Sequence, residues 1–385
     1  MTSSRRQFIA QTSTLLAAAA AMPAWGCFVA RQPKRVLYLG GTGFLGPYMV
    51  RDAIERGWDV TLFNRGKSNP HLFPTVTKLE GDRYGDISSL EGKEWDAVID
   101  TFTYTPNVVS RSAELLKASV GQYLVVSTVS VYRDQAQVGL DETYALAEIP
   151  DEVADAITTH REVGQHYGAM KSRCEKAAET IMPGRVCVVR PGLIGGPGDD
   201  TDRCTYWPSR VARGGEVLAP VNPAHFTQFI DVRDLALFCN QCVADTHMGI
   251  YNADSPAGAR TIGDVLETSK SVSRSDATFM WADAEFLAAH GVGAWQHMPC
   301  WIPPEGPYAG FGQVSTKRAT AAGLAIRPLA DTLADTLKWI DATPEAEEER
   351  PAAEARRIRL ASSPRAGLSP DREREIIAAW HAREG

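Results

Sequence analysis

From Arg35 to Val189 the chain alternates short apolar runs with stretches whose apolar residues recur at helical spacing. Val36, Leu37 and Leu39 read as a buried parallel strand, after which Leu45, Met49, Val50, Ala53 and Ile54 share one face of a helix. Asp59 to Phe63 predicts a second strand, Val76 to Leu79 a short third, Trp95 to Asp100 a fourth and Gln122 to Val126 a fifth, with Pro106 to Lys117 helical between the last two. Such alternation predicts an α/β fold built on a doubly wound parallel sheet over residues 34–190. From Pro191 onward glycine, proline and aromatics break the rhythm, predicting a smaller, irregular substrate-binding part over 191–340 with some returning sheet elements. Pro344 to Pro351 reads as a charged linker with little to bury, and Ser369-Pro370-Asp371 as the start of a last helix carrying Ile376, Ile377 and Trp380 on one side. This tail, residues 341–385, is expected to dock on its own domain or on a partner subunit.

The first strand runs into Gly40-Gly41-Thr42-Gly43-Phe44-Leu45-Gly46, which satisfies both a G-x-x-G-x-x-G and a G-x-G-x-x-G spacing. Without side chains in the way, such a turn brings backbone amides at a helix N-terminus against a pyrophosphate. That predicts a dinucleotide cofactor and a Rossmann-like arrangement. After the second strand, Asn64 and Arg65 fall where an adenosine ribose is read, followed by Gly66 and Lys67. An acidic residue there suits a ribose hydroxyl and an arginine a 2′-phosphate, so Arg65 favours NADP over NAD; the alternative is a solvated loop cation. Asp82, after the third strand, is placed to touch an adenine edge.

The fifth strand opens into Ser127-Thr128-Val129-Ser130-Val131-Tyr132, and further on stands His166-Tyr167-Gly168-Ala169-Met170-Lys171. On a helix Tyr167 and Lys171 share a face, and an ammonium one turn from a phenol lowers its pKa towards the range useful for proton transfer. A hydroxyl from Thr128 or Ser127 can hydrogen-bond the oxygen whose charge changes. His160 and His166 flank this helix start as candidates for a second acid or base, and Asp202 to Arg210 together with Trp281, Trp295, Trp301 and Tyr308 can line a pocket or fill a second core.

With these residues in order, the chain resembles the extended short-chain dehydrogenase/reductase family, the NAD-dependent epimerase/dehydratase group, over about Lys34 to Ile340. Leu39 stands where the family's T-G-x-x-G-x-x-G has threonine. The resemblance implies acid/base catalysis by Tyr167, cofactor-ribose contact by Lys171 and the active hydroxyl on Thr128, three residues before Val131-Tyr132. Val189-Arg190-Pro191-Gly192, Phe229 to Ala236 and Gly249-Ile250-Tyr251-Asn252 resemble the family's later landmarks. Its sugar-nucleotide dehydratases carry Asp-Glu directly after the active threonine; Val129-Ser130 here argues against that form of dehydration. A homodimer through two helices is compatible with the resemblance.

Residues 1–26 change the setting. Ser4-Arg5-Arg6-Gln7-Phe8-Ile9 resembles a twin-arginine export signal, followed by an alanine-rich stretch from Leu15 to Met22 that is too short to span a bilayer permanently. Ala24-Trp25-Gly26 permits cleavage before Cys27, which is also a poor candidate lipoprotein site. The expectation is a periplasmic or otherwise exported protein that meets the membrane only in transit. Cys239-Asn240-Gln241-Cys242 has no second pair for zinc, so no metal site is predicted and the cysteines read as buried and structural. With a net charge of −7, nucleic acid is disfavoured as a partner. Outside the cytoplasm free nicotinamide cofactor has no expected supply, so the sequence points to a small carbohydrate or polyol substrate handled by a tightly held cofactor, through epimerisation or oxidation-assisted elimination. A reductase or sugar-nucleotide epimerase of cytoplasmic type, and a non-catalytic nucleotide- or RNA-binding relative, are the alternatives.

Overall fold

A computed structural model describes residues 33–345 and 347–384, so the twin-arginine segment and Cys27 lie outside the described residues. Seven strands form one sheet: β1 (Arg35–Leu39), β2 (Asp59–Asn64), β3 (Thr77–Glu80), β4 (Trp95–Asp100), β5 (Val120–Val126), β6 (Val186–Pro191) and β7 (Gly249–Ala253). Their spatial order is β7-β6-β5-β4-β1-β2-β3 and every pairing is parallel. The order reverses between β1 and β4, and the crevice outside the carboxyl ends of those strands is where such sheets take ligands.

Helices cover both faces. On one, α1 (Gly46–Glu55) and α4 (Val232–Ala244) bury Met49, Val50, Ala53, Leu235 and Cys239 against the sheet. On the other, α2 (Pro106–Leu116) and α3 (Tyr167–Ile181) bury Val109, Ala113, Cys174 and Ala178. Ile54 departs from its expected place and is 43% exposed. At 3.6 residues per turn it lies about 90° round the helix from the stripe of Met49, Val50 and Ala53.

A second core holds the rest, with Trp207, Phe229, Leu266, Phe286 and Trp301 at its centre. Around it Glu216–Pro220 pairs with Thr278–Ala282 and Leu193–Gly195 with Phe229–Asp231. The run expected to be a linker is instead largely structured: α5 (Arg350–Ser362) begins inside it, with Pro351 in the first turn, where a missing N–H costs no bond. Ala353 and Leu360 are buried, and the Arg359 guanidinium donates to both carboxylate oxygens of buried Asp202, at 2.9 and 2.8 Å. In α6 (Pro370–Glu384) Ile376 is buried, Glu373 pairs with Arg210 and Trp380 packs edge-on against Phe286 at 4.8 Å. The tail therefore docks on its own chain. Among the described residues all six cysteines are free and buried, and no helix is long and apolar enough to cross a membrane.

Candidate active site

The glycine turn is shaped by close approach. Gly40 and Gly41 have φ of +124° and +92°, in the region that favours glycine, and a Cβ on Gly46 would lie 2.5 Å from the Gly41 carbonyl carbon. At Gly43, by contrast, a Cβ would project into open space. That space is a cleft of about 460 Å³ at the sheet's carboxyl edge, lined by all of Gly40 to Gly46 and by Asn64, Arg65 and Asp82. With amides converging from a helix start and no side chain between them, the turn fits a pyrophosphate.

The ribose-reading residues divide. Asn64 braces the turn, donating to the Gly40 carbonyl at 3.3 Å and accepting from the Gly66 N–H at 2.9 Å, so its amide is spent on the protein. Arg65 is exposed at the cleft's margin and Lys67, a second exposed cation, lines it too. Asp82 accepts from the Tyr84 N–H at 3.0 Å, and Arg83 beside it is buried in a two-point pair with Asp100, both bonds 2.8 Å, which pins this wall to the end of β4.

Tyr167 opens α3 and Lys171 follows on the next turn. The ammonium's hydrogen bonds go to groups other than the phenol. It donates to the Thr103 hydroxyl and, at 2.7 Å, to the Val126 carbonyl, and lies 5.4 Å from the centre of the Tyr104 ring. Burial draws the Lys171 pKa down to about 8. The Tyr167 phenol moves the opposite way from the expected lowering: burial, then Tyr104, pushes it up to about 12, against the nearby Thr128 hydroxyl and the positive charge of Arg203. Ser127 bonds to Glu175 and is not available as the active hydroxyl. Glu175 in turn takes Arg190, which donates to the Tyr132 hydroxyl at 3.2 Å, and Tyr132 donates to Asn252 at 2.6 Å. This buried chain ties α3 to the ends of β5, β6 and β7 behind the site.

A second cavity, about 730 Å³, adjoins the cleft. Thr128 lines it, and Phe44, Tyr104, Tyr167 and Ile194 line both spaces, so the phenol stands in their common wall. Of the aromatics and loop residues named from sequence, Trp295, Tyr308 and Arg203 reach this cavity. Trp301 and Trp207 are buried in the second core and Trp281 packs against it, while Arg210 is spent on Glu373. Neither histidine lines either space. His160 is held in an aromatic cluster with Tyr84, Phe102 and Tyr104, and His166 lies beside Gln165.

A carboxyl does reach the cavity, that of Asp254, one residue past β7 and 2% exposed. Sequence reasoning passed over it; its signal was its place at the carboxyl end of a strand in a parallel sheet. Burial raises its pKa to about 8, against the Ser255 N–H and the charge of Arg260. The folded chain keeps this proton up to about pH 8, whereas the unfolded chain releases it near pH 4. Between those values the folded state binds more protons, so stability falls as pH rises through the window. Asp254→Asn removes that slope: its stability relative to the unaltered chain should gain steadily from about pH 4 to pH 8, by the order of a few kcal/mol, and its relative melting temperature should rise with it. An equal difference in thermal melts at both ends would contradict the assignment.

A sequence profile of the NAD dependent epimerase/dehydratase family matches residues 36–253. Among individual proteins, the chain is similar to the chloroplast stem-loop binding protein of 41 kDa b of Arabidopsis thaliana, 25% identical over 54% of this chain and 54% of that protein, so the match spans about half the relative's length. It is likewise similar to epimerase family protein SDR39U1 of Bos taurus, 25% identical over 59% of this chain and 76% of the relative. Its fold matches that of the Bordetella bronchiseptica enzyme WbmG, solved with NAD and UDP, with a TM-score of 0.58 at 14% identity over 82% of this chain and 96% of that one.

Proposed function

The chain belongs to the NAD dependent epimerase/dehydratase family, and from that premise we propose that it is an exported NAD(P)-dependent enzyme that modifies a sugar or polyol in a closed redox cycle. Its outcome is epimerisation or oxidation-assisted elimination, with no net redox. The observation that carries this is the position of Tyr167 in the wall shared by the dinucleotide cleft and the adjoining cavity.

In this reading the backbone amides from Gly41 to Gly46 take the pyrophosphate, and Arg65 with Lys67 meets the adenosine ribose, favouring a 2′-phosphate and hence NADP over NAD. Lys171, fixed by Thr103 and the Val126 carbonyl, offers its remaining proton to a ribose hydroxyl. When bound, the dinucleotide supplies reversible two-electron chemistry at a carbinol carbon, and a positive ring charge in its oxidised form. Thr128 holds the reacting oxygen and Tyr167 takes its proton, then returns it. A phenol raised to about 12 is a poor base at neutral pH, so it works only with cations close by; Arg203 already acts on it from the cavity side.

Export bears on the outcome. A protein translocated folded can carry its cofactor, and a cofactor that must be regenerated in place restricts the chemistry to returning what was taken. The coarser alternative is a reductase or sugar-nucleotide epimerase of cytoplasmic type, to which the solved WbmG complex with NAD and UDP lends support. An RNA-binding role, suggested by the name of the Arabidopsis relative, sits poorly with a net charge of −7. Heat denaturation of the protein purified from the periplasm, with mass spectrometry of the supernatant, should release about one nicotinamide dinucleotide per chain, because a closed cycle retains its cofactor. Release of none would sink the closed cycle.

A further inference from the structure

We propose that the second cavity binds an uncharged glycoside, with Asp254 hydrogen-bonded to its hydroxyls, and not a sugar activated by a nucleoside diphosphate. This rests on Tyr167 marking the reaction centre and names the substrate class of that site.

Charge is the first argument. Among the described residues Arg203 is the one cation lining the cavity, and its guanidinium lies over the Trp295 ring, 5.6 Å from the centroid. A diphosphate brings two negative charges that need paired, charge-assisted donors when taken out of water. One stacked arginine does not provide them, and the other ionisable groups in the wall are the phenols of Tyr104, Tyr167 and Tyr308 and the Asp254 carboxyl, none of them a cation. Aromatic faces are plentiful, with Trp295, Tyr308 and Phe311 offering the flat apolar surfaces that suit the C–H faces of a pyranose.

Polar capacity is the second. Gln228 lines the cavity, but its amide is already committed, donating to the Ser255 and Val314 carbonyls at 2.6 and 2.9 Å and accepting from the Val314 N–H at 2.9 Å. Asp254 is different. One of its oxygens accepts from the Ser255 N–H at 2.7 Å, and the other faces Gly192, where a Cβ would come within 1.6 Å. The glycine makes the room that the carboxyl occupies. The Ser255 hydroxyl next to it is buried without a partner. A buried carboxyl with an uncommitted oxygen is costly unless something hydrogen-bonds it.

Spacing is the third. Thr128 and Asp254 follow β5 and β7, which lie on either side of β6, so two strand steps separate them, roughly 10 Å. That gap accommodates one pyranose ring with its hydroxyls, held by Thr128 and Tyr167 at one edge and by Asp254 at the other.

The test uses the full chain with the cofactor it carries, titrated calorimetrically with methyl glycosides of glucose, galactose and mannose, and with UDP-glucose. At least one methyl glycoside should bind, more tightly than UDP-glucose. Asp254→Ala should weaken that binding by about tenfold or more, and Asp254→Asn, which keeps a donor and an acceptor, should retain most of it. Tighter binding of UDP-glucose than of every methyl glycoside, no binding of any methyl glycoside, or unchanged binding in Asp254→Ala would each overturn the proposal. Should Asp254→Ala fail to fold, the comparison of ligands on the unaltered chain decides alone. The cofactor's near-ultraviolet absorbance separates the two levels of the account. Glycoside binding that never changes it would defeat the redox reading and leave the substrate class standing, whereas reduction by UDP-glucose alone would do the reverse.

Discussion

Tyr167→Phe is expected to lower turnover by about two to four orders of magnitude while leaving cofactor content and folding unchanged. The ring stays, so its packing at 6.2 Å from Tyr104 and its place between cleft and cavity are preserved. What disappears is the phenol oxygen, which lies near the Thr128 hydroxyl and is proposed to carry the transferred proton. Steady-state rates, read beside the dinucleotide released on denaturation, check both halves of the expectation. A variant that keeps a full complement of cofactor and loses less than about threefold in rate would remove the phenol from the chemistry.

Gly168→Ala should be nearly as damaging without touching a reactive atom. A Cβ at this position would fall 1.9 Å from the Ser130 carbonyl oxygen and 2.9 Å from its carbon, both backbone atoms of the turn that begins at Thr128. Helix α3 must then retreat from that turn by on the order of 1 Å, and it carries Tyr167 and Lys171 with it. A displacement of that size between catalytic groups costs about 100-fold in rate, and the overpacking about 1–3 kcal/mol in stability. Urea unfolding and activity measured on the same preparation test the pair. Wild-type values in both would mean that the helix has slack the structure does not show.

The parts of the site that follow local rules were legible in the sequence. A strand that ends at Leu39, a glycine turn and a helix beginning at Gly46 follow from spacing and the absence of side chains, and Tyr167 with Lys171 follows from helical periodicity. Where each side chain spends its bonds was not legible. Lys171 turns to Thr103, 68 residues away in sequence, and Asn64 to the Gly40 carbonyl, because those acceptors arrive only once the sheet is assembled. Asp254 was missed for the same reason. Its burial comes from β7 lying beside β6, not from its own neighbours, whereas His160 and His166 drew notice only through closeness to Tyr167 along the chain. Helix α5 was hidden by its composition, since its arginines look solvated until Arg359 meets Asp202, 157 residues away.

A crystal structure of the protein with its dinucleotide bound would test the central claim most directly. The account predicts the phosphates on the amides of the Gly41 to Gly46 turn, and the nicotinamide ring beside Tyr167 at the opening into the second cavity. A nicotinamide lying elsewhere, or a Tyr167 hydroxyl turned away from it, would contradict the account.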